Sequence, residues 1–456
     1  LKIKITVQDV QHIKKQEVTF DLSKNGITCI AGKNGVGKTT LIRAIRNLPI
    51  NSTFQETAAP YIFSKSSSIS YAIEGMEEIV FNYNRFIKAI DTRQSIPEAI
   101  KEIINVELPI PHGERFKHFK SLSDKDEEIR AHIANTNYST PYELISLLND
   151  IYGEDRFQSL KEISLNKFIY YVILRDEDER FYIREDYFSS GEYFVVNLYK
   201  QIKQGKKLIV IDEIDISLDA MAQVNLVNSL RKLCREYNTN IIFTTHSLAL
   251  MKTLEKGEIF YMESSKDSHE IITLPKSYNY IKSVMYGFTG FDKYILTEDE
   301  CLKNYMQYLI RKSGVDTYFQ YEIIYIGGAT QVVDLMKRNT ESKFFSTEEN
   351  IVAVLDGDQE GKGYLKDVGN IIFLPFINIE MEVYKQYVDG KIVIDGLREI
   401  KNKKETDRAK NLYSQLTKFR HGSPPLMSEP DIYALLEKTN PEGVSKFQEQ
   451  LIGFLS

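Results

Sequence analysis

Ten residues, Ala31-Gly32-Lys33-Asn34-Gly35-Val36-Gly37-Lys38-Thr39-Thr40, match the pattern G-x-x-x-x-G-K-[ST] at every fixed position. The chemistry open to such a stretch is phosphate binding. Its glycines let successive backbone N–H groups turn toward an anion, and a helix starting directly behind them adds partial positive charge. Gly32, Lys33, Asn34, Gly35, Gly37 and Thr40 are the expected lining of a nucleotide site. Lys38 would reach the β- and γ-phosphates, and Thr39 would hold Mg²⁺ through its hydroxyl. Before the loop, Gly26-Ile27-Thr28-Cys29-Ile30 reads as a strand. After it, residues 41–48 place apolar side chains at helical spacing.

Three later stretches carry related groups. Phe188-Ser189-Ser190-Gly191-Glu192 opens a helical segment running from Tyr193 to Gln204. Leu208-Ile209-Val210-Ile211-Asp212-Glu213 is an apolar strand closed by two acids, and Ser217-Leu218-Asp219 follows. Ile241-Ile242-Phe243-Thr244-Thr245-His246 is an apolar strand closed by histidine. Singly, an acidic strand end is more often structural and a lone histidine more often a satisfied polar residue. Their order behind a phosphate loop argues for function.

This set resembles the ABC-type ATPases, in the branch that holds recombination and defence ATPases. It comprises the phosphate loop, an S-x-G-x signature, a Walker B strand, a D-loop and an H-switch, over residues 1 to about 275. The resemblance implies that Asp212 orients Mg²⁺ through water, Glu213 polarises the attacking water and His246 contacts the γ-phosphate. It implies that Ser189 and the N–H groups near Gly191 form a second anion site facing a partner subunit's nucleotide, so that a dimer sandwiches two ATPs. Gln55 is the candidate for the family's Q-loop glutamine.

Further along, Lys293-Tyr294-Ile295-Leu296-Thr297-Glu298 is a strand ending in an acid, and residues 350–355 are a strand followed by Asp356-Gly357-Asp358. Residues 321–326 and 371–376 are two more strands, with helical spacing over 301–311 and 330–338. Strands alternating with helices argue a parallel sheet, whose ligands sit at the carboxyl ends of strands. This half resembles the Toprim domain, and the whole chain resembles the OLD (overcoming lysogenization defect) family, an ABC-type ATPase joined to a Toprim nuclease. The resemblance implies catalytic and metal-binding roles for Glu298, Asp356 and Asp358, with Glu380 as a further metal ligand. It departs from the pattern at Asp299, where Gly is usual, and at Leu302, where an acid is often found. Asp299, Glu300 and Glu382 are the substitutes at hand. Mg²⁺ is the expected ion, with Mn²⁺ an alternative, because all-oxygen ligands favour both over zinc. A calcium loop starting at Asp356 with Asp367 in twelfth place, a phosphatase-type D-x-D and an inactive Toprim domain remain open beside it. Lys401, Lys403, Lys404, Arg408, Lys410, Lys418, Arg420 and His421 form the nearest basic stretch, either a solvated helix face or a contact for nucleic-acid backbone.

The elements that must position these groups point to an α/β chain. Residues 1–275 are expected to be an ABC-type P-loop ATPase domain with a helical insertion at about 85–165, built on helices near 96–104 and 139–148. A linker at 276–293 leads to a Toprim-like α/β domain over 294–456. Residues 1–7 and 18–22 alternate as strands, Ser64-Lys65-Ser66-Ser67-Ser68 reads as a turn, and residues 78–83 read as a strand. At 456 residues with 42% hydrophobic content, the chain can bury two or three cores. Its net charge of −6 leaves any DNA contact to a local patch. Three distant cysteines suit a reducing compartment. The sequence shows no signal-peptide pattern and no apolar run of membrane-spanning length, so a cytoplasmic protein away from membranes is expected. The function these readings suggest is an ATP-regulated, Mg²⁺-dependent DNA endonuclease of anti-phage defence. It would be a homodimer or larger homo-oligomer, with partner proteins from a defence operon. The alternatives are an ATPase sensor whose second domain only docks partners, and a DNA-organising ATPase.

Overall fold

The computed structural model describes residues 1–107, 119, 122–166, 168–176, 181–265, 268–287, 290–343, 345–366, 368–418 and 424–456. Asp367, Arg420 and His421 lie outside the described residues, as do Phe288 and Thr289 of the expected linker and Glu177, Asp178, Glu179 and Arg180 of the charged stretch Arg175-Asp176-Glu177-Asp178-Glu179-Arg180, which reads in the sequence as a turn. The chain forms two compact units, Leu1–Ile281 and Lys282–Ser456.

In the first unit the strands are β1 (Lys2–Val10), β2 (Ile13–Asp21), β3 (Ile27–Gly32), β4 (Phe63–Ile73), β5 (Ile79–Asn84), β6 (Ala89–Asp91), β7 (Ile104–Glu107), β8 (Leu160–Leu165), β9 (Phe168–Asp176), β10 (Phe181–Arg184), β11 (Leu208–Ile211), β12 (Asn240–Thr244), β13 (Ile259–Ser264) and β14 (Glu270–Pro275). The helices are α1 (Lys38–Asn47), α2 (Thr53–Thr57), α3 (Glu98–Ile103), α4 (Asp126–Ala134), α5 (Tyr142–Tyr152), α6 (Ser190–Lys203), α7 (Ala220–Glu236) and α8 (Leu248–Lys252), and α9 (Tyr278–Tyr286) spans the residues at which the two units divide.

Among the described residues eleven strands form one sheet, in the order β6-β5-β4-β1-β2-β14-β13-β3-β12-β11-β7. Its β1, β2, β4, β5 and β6 pair antiparallel. Strands β13, β3, β12, β11 and β7 pair parallel. The sequence explains the division. β1 alternates, as a strand with one buried face must, whereas β11 and β12 are buried at every residue, as parallel strands covered on both faces are. Burying each large aliphatic side chain contributes about 1.5–3 kcal/mol, so these short strands are held by both faces as well as by their ladders.

Three expectations need correction. Ser64-Lys65-Ser66-Ser67-Ser68 is no turn but the start of β4, whose Ser68 pairs with Gln8 of β1. The Ser67 hydroxyl donates to the Asp9 carbonyl, where the β1–β4 register shifts between Gln8 and Val10, so serine's turn chemistry serves an irregularity inside the sheet. Residues 85–165 are not simply helical: besides α3, α4 and α5 they contain β6, β7 and β8. β7 pairs in register with β11, Ile104 opposite Leu208, so the main sheet runs through the expected insertion. The helix expected from 139 begins at Tyr142, with Pro141 as an N-cap that supplies no side-chain bond. Ser139 instead exchanges backbone hydrogen bonds with Glu162 at 2.8 and 2.9 Å. Strands β8, β9 and β10 form a separate antiparallel sheet. Ile163, Val172 and Leu174 from it pack with Ile129 and Ile133 of α4.

The second unit holds β15 (Lys293–Thr297), β16 (Tyr321–Tyr325), β17 (Ile351–Leu355) and β18 (Ile371–Phe373). Its helices are α10 (Glu300–Lys312), α11 (Ala329–Ser342), α12 (Ile379–Val388), α13 (Glu405–Thr417), α14 (Glu429–Thr439) and α15 (Pro441–Leu455). The four strands are parallel, in the order β16-β15-β17-β18. Alternate residues feed two cores: Ile295, Val352 and Val354 join one, Leu296, Ala353 and Leu355 the other. No described helix of either unit is long and apolar enough to cross a membrane.

Candidate ATP site and acidic site

The phosphate loop joins β3, which ends at Gly32, to α1, which starts at Lys38. Gly37 is the N-cap of α1 at φ +104°, and Gly35 stands at φ +76°, conformations that L side chains rarely adopt. Lys33, Asn34, Gly35 and Thr39 are exposed, so the loop and the Thr39 hydroxyl are open to a ligand. The Lys38 amine folds back on the loop, donating to the carbonyls of Gly32 at 2.6 Å and Lys33 at 3.2 Å. Burial holds its pKa below the usual lysine value, against the pull of Asp212 and Glu213. A phosphate therefore fits: it offers a charged acceptor in place of two carbonyls. Thr40 is buried, and its hydroxyl donates to Gln11 Oε1 at 3.0 Å, so it holds the β1–β2 turn. Gln55 lies exposed on α2.

Asp212 is buried just beyond β11. The Thr244 hydroxyl at the end of β12 donates to Asp212 Oδ1 at 2.5 Å and accepts from the Glu213 N–H at 2.8 Å. Glu213 sits at φ +56°, a left-handed conformation that costs a non-glycine residue about 1–2 kcal/mol. One threonine hydroxyl thus fixes both acids where the chain bends away from the strand. His246 follows β12. Burial lowers its pKa first and the Lys38 charge adds to that, so its ring is neutral at pH 7; Asp215, Glu213 and Asp212 pull the other way. The structure therefore gathers Lys38, Asp212, Glu213 and His246 into one electrostatic group.

Sequence reasoning missed its supports. The Thr245 hydroxyl donates to Asp215 Oδ1 at 2.6 Å and accepts from the Ser247 N–H at 3.0 Å. Gln223 of α7 donates to the carbonyls of Asp215 and Leu218, tying the D-loop to this corner. The signal lay in the Thr244-Thr245 pair beside His246.

Ser189 is the N-cap of α6, and the helix opens earlier than the expected Tyr193. Its hydroxyl accepts from the Glu192 N–H at 3.3 Å, while the Glu192 carboxylate accepts from the Ser189 N–H at 2.7 Å. This is a capping box, with Glu192 occupying the anion-favouring helix end. Arg156 pairs with that carboxylate at 2.6 Å, a cation that the sequence gave no reason to single out. A Cβ on Gly191 would stand 2.7 Å from the Ser217 carbonyl oxygen, so only glycine lets the D-loop approach.

In the second unit Glu298 follows β15 and Asp356 follows its neighbour β17. The Asp356 N–H donates to Glu298 Oε1 at 2.9 Å. Burial, then the charges of Glu298, Asp299, Glu380 and Asp358, push the Asp356 carboxyl up to about 9. Burial also raises Glu298, opposed by the Asp356 and Ala329 N–H groups, and it raises Glu380, opposed in part by Lys410 on α13. Glu298, Asp356, Asp358 and Glu380 thus belong to one electrostatic cluster. As the side chains stand, no group of three or more His, Cys, Asp or Glu among the described residues is arranged to hold a metal ion.

Two of the candidate substitutes make local bonds, although the Asp299 charge still reaches Asp356. Asp299 caps α10, accepting from the Leu302 N–H at 2.9 Å, and Glu382 accepts from Gln386 at 2.7 Å. Among the described basic residues, Lys410 is the one whose charge reaches Glu380, and Lys401 pairs with Glu399 at 3.4 Å.

Residues 4–241 match a family described as an AAA domain, which is over half the chain. The chain belongs to this AAA-domain family. Methionine import ATP-binding protein MetN 1 of Staphylococcus epidermidis is 22% identical over 287 residues, 61% of this chain and 67% of that protein. MetN 1 of Staphylococcus aureus is 21% identical over 289 residues, 60% of this chain and 69% of its own length. Among solved structures, an Smc head bound to the C-winged helix domain of ScpA aligns at TM-score 0.40 and 13% identity, over 59% of this chain and 97% of that one. The ADP form of MJ1267, an ATP-binding cassette of an ABC transporter, aligns at TM-score 0.32 and 13% identity, over 62% of this chain and 94% of that one. The AAA-domain match, with the phosphate loop inside it, makes the protein a P-loop ATPase of that family. ATP with Mg²⁺ is the ligand expected of it. The match stops before the second unit.

Proposed function

We propose that this AAA-domain ATPase is an ATP-regulated, Mg²⁺-dependent DNA endonuclease of anti-phage defence. It works as a homodimer or larger homo-oligomer with partner proteins, and its second unit is a Toprim-like nuclease. The observation that carries this reading is the hydrogen bond from Asp356 to Glu298, which holds acids from two adjacent parallel strand ends together.

In the ATP site, Gly32, Lys33, Asn34, Gly35 and Gly37 cradle the phosphates and Lys38 exchanges its loop carbonyls for the β- and γ-phosphates. Mg²⁺ bound by Thr39 and Asp212 would neutralise charge between those phosphates. Glu213 accepts a proton from the attacking water, and neutral His246 donates to the γ-phosphate. Ser189 and Gly191 meet the nucleotide of the partner subunit. In the acidic site, Glu298, Asp356, Asp358 and Glu380 are the ligands for Mg²⁺ or Mn²⁺, which would polarise the scissile phosphate. Lys410, whose charge reaches Glu380, would be a basic group available to a substrate phosphate.

A second reading keeps the ATPase and makes the other unit a docking module without chemistry. What favours it is that the described acids are not arranged for a metal as they stand. Plasmid incubated with the purified protein, with and without Mg²⁺, Mn²⁺ and ATP, separates the two. Metal-dependent nicking is the expected result, and intact supercoiled plasmid under every condition overturns the nuclease reading.

A further inference from the structure

The turn between β5 and β6 lies at the end of the large sheet farthest from β7 and takes no part in either site. It presents Arg85, Phe86, Ile87 and Lys88 to solvent, with Phe86 82% exposed. Phe86 and Ile87 stand side by side as exposed apolar residues on a turn that is otherwise basic. The Arg85 guanidinium lies 4.8 Å from the Phe86 ring centre, a cation–π pair that covers one face of the ring.

Beside the turn is an open cup of about 530 Å³, lined by Asn82, Arg85, Phe86 and Arg93 among others. Arg85, Lys88 and Arg93 form no ion pair among the described residues. The carboxylate between them in sequence, Asp91, is turned to local bonds, accepting from Asn84 at 3.2 Å and the Thr92 N–H at 2.9 Å. Three cations against one carboxylate give this stretch a local charge of +2 in a chain of net charge −6. The cup is built in advance. The Phe86 N–H is held by Asn84 Oδ1 at 3.0 Å, and Gln94 ties the far side to β5 through Val80 and Glu78.

The geometry points to this turn and cup as a contact for single-stranded nucleic acid, Phe86 stacking on a base while Arg85, Lys88 and Arg93 meet the phosphates. Charge complementarity calls for a polyanion. The exposed ring calls for a flat apolar face, which an unpaired base offers and a duplex backbone does not. Asn82, exposed inside the cup, adds an amide that can bond a base edge. The contact lies in the ATPase unit and does not rest on the second unit cutting DNA.

The chain contains no tryptophan, so Phe86→Trp places one fluorophore at the turn. The full chain carrying it is titrated with a single-stranded oligothymidylate in EDTA without nucleotide, and wild-type binding is followed by anisotropy. Saturable quenching is expected. Phe86→Ala should weaken binding about tenfold, as loss of one stacked base does. Arg85→Glu with Arg93→Glu should weaken it at least as much and flatten its salt dependence. Polyglutamate of equal charge should leave the tryptophan unquenched. Unchanged ATPase rates show that the variants fold. The proposal is overturned if the tryptophan is silent, if polyglutamate quenches it equally, or if Phe86→Ala binds like wild type. Plasmid nicking that survives such a failure leaves the nuclease reading standing, and quenching without nicking leaves this contact standing.

Discussion

Glu298 and Asp356 are joined by a 2.9 Å hydrogen bond from the backbone of one to the carboxylate of the other. The bond places two half-buried acids side by side, and Asp358 lies one residue beyond Gly357. Changing Asp356 and Asp358 to Ala is expected to abolish plasmid nicking and leave ATP hydrolysis largely intact. Glu298→Gln keeps an acceptor for the Asp356 N–H and removes the charge, so it should fold normally and still lose cleavage. Glu360→Gln should do much less. Nicking at the wild-type rate by the double variant would remove the acidic site from the chemistry.

The ATP site makes its own prediction through Thr244, whose single hydroxyl serves both Asp212 and the Glu213 N–H. Glu213→Gln should bind ATP normally and hydrolyse it about 10²–10⁴-fold more slowly, the usual loss when a positioned acid–base group is removed. Thr244→Val should lower turnover too, and it leaves a donor without its partner, at about 1–3 kcal/mol. Steady-state turnover beside nucleotide binding checks both; a normal rate in Glu213→Gln would remove that residue from its assigned role.

Glycines test the second unit sterically. A Cβ on Gly357 would come within 2.2 Å of the Phe376 carbonyl oxygen, whereas one on Gly361 meets nothing within 4 Å. Gly361→Ala should therefore cost only the left-handed penalty of about 1 kcal/mol, since φ is +78° there. Gly357→Ala must push the backbone apart and should destabilise by several times that. Thermal unfolding of the two variants gives the comparison, and equal midpoints would contradict the packing.

What the sequence made legible was whatever a short motif or a clean period encodes. The phosphate loop announces itself, and β11 and β12 show because their residues are apolar throughout. β7 stayed hidden because Ile104-Asn105-Val106-Glu107 directly continues the helical spacing of α3. Only its partner β11, a hundred residues away, makes it a strand. Likewise nothing local tells Ser67 that Asp9 offers it a carbonyl, or marks Arg156 as the partner of Glu192. Lys410 was one of several basic residues until α13 brought it near Glu380.

Asp126 of α4 gives a pH prediction. Burial pushes its carboxyl up, but the Tyr182 hydroxyl, Arg184 and Arg130 outweigh that and hold it below the ordinary 3.8. Arg184 pairs with it at 2.8 Å and also with Asp186 at 2.9 Å, joining β10 to α4. A carboxyl depressed by folding stabilises above its unfolded pKa and loses that contribution as pH falls through the folded value. Asp126→Asn should thus unfold at a lower temperature than wild type at pH 7. The gap should begin to narrow near pH 4, where the unfolded carboxyl takes its proton, and close as pH falls through the lower folded value. A gap that stays constant from pH 7 to pH 3 would show that the ion pair is not its source.

The last prediction concerns Ser189. In this chain Ser189 and Glu192 cap each other, so the start of α6 is complete before any nucleotide arrives. If that helix end meets the partner subunit's ATP, Ser189→Arg should block closure and lower turnover while Lys38 still binds phosphate in its own subunit. Part of the effect will be the lost cap, about 1 kcal/mol, which Ser189→Ala measures separately. Mixing then isolates the composite site. Ser189→Arg and Lys38→Ala proteins are each inactive alone, but a mixed dimer contains one site with both wild-type halves. Turnover should recover to at most a quarter of the wild-type value at equal ratio, about half the dimers being mixed with one good site each. Absence of recovery at any ratio, with subunit exchange confirmed by labelled chains, would mean that each subunit hydrolyses ATP on its own.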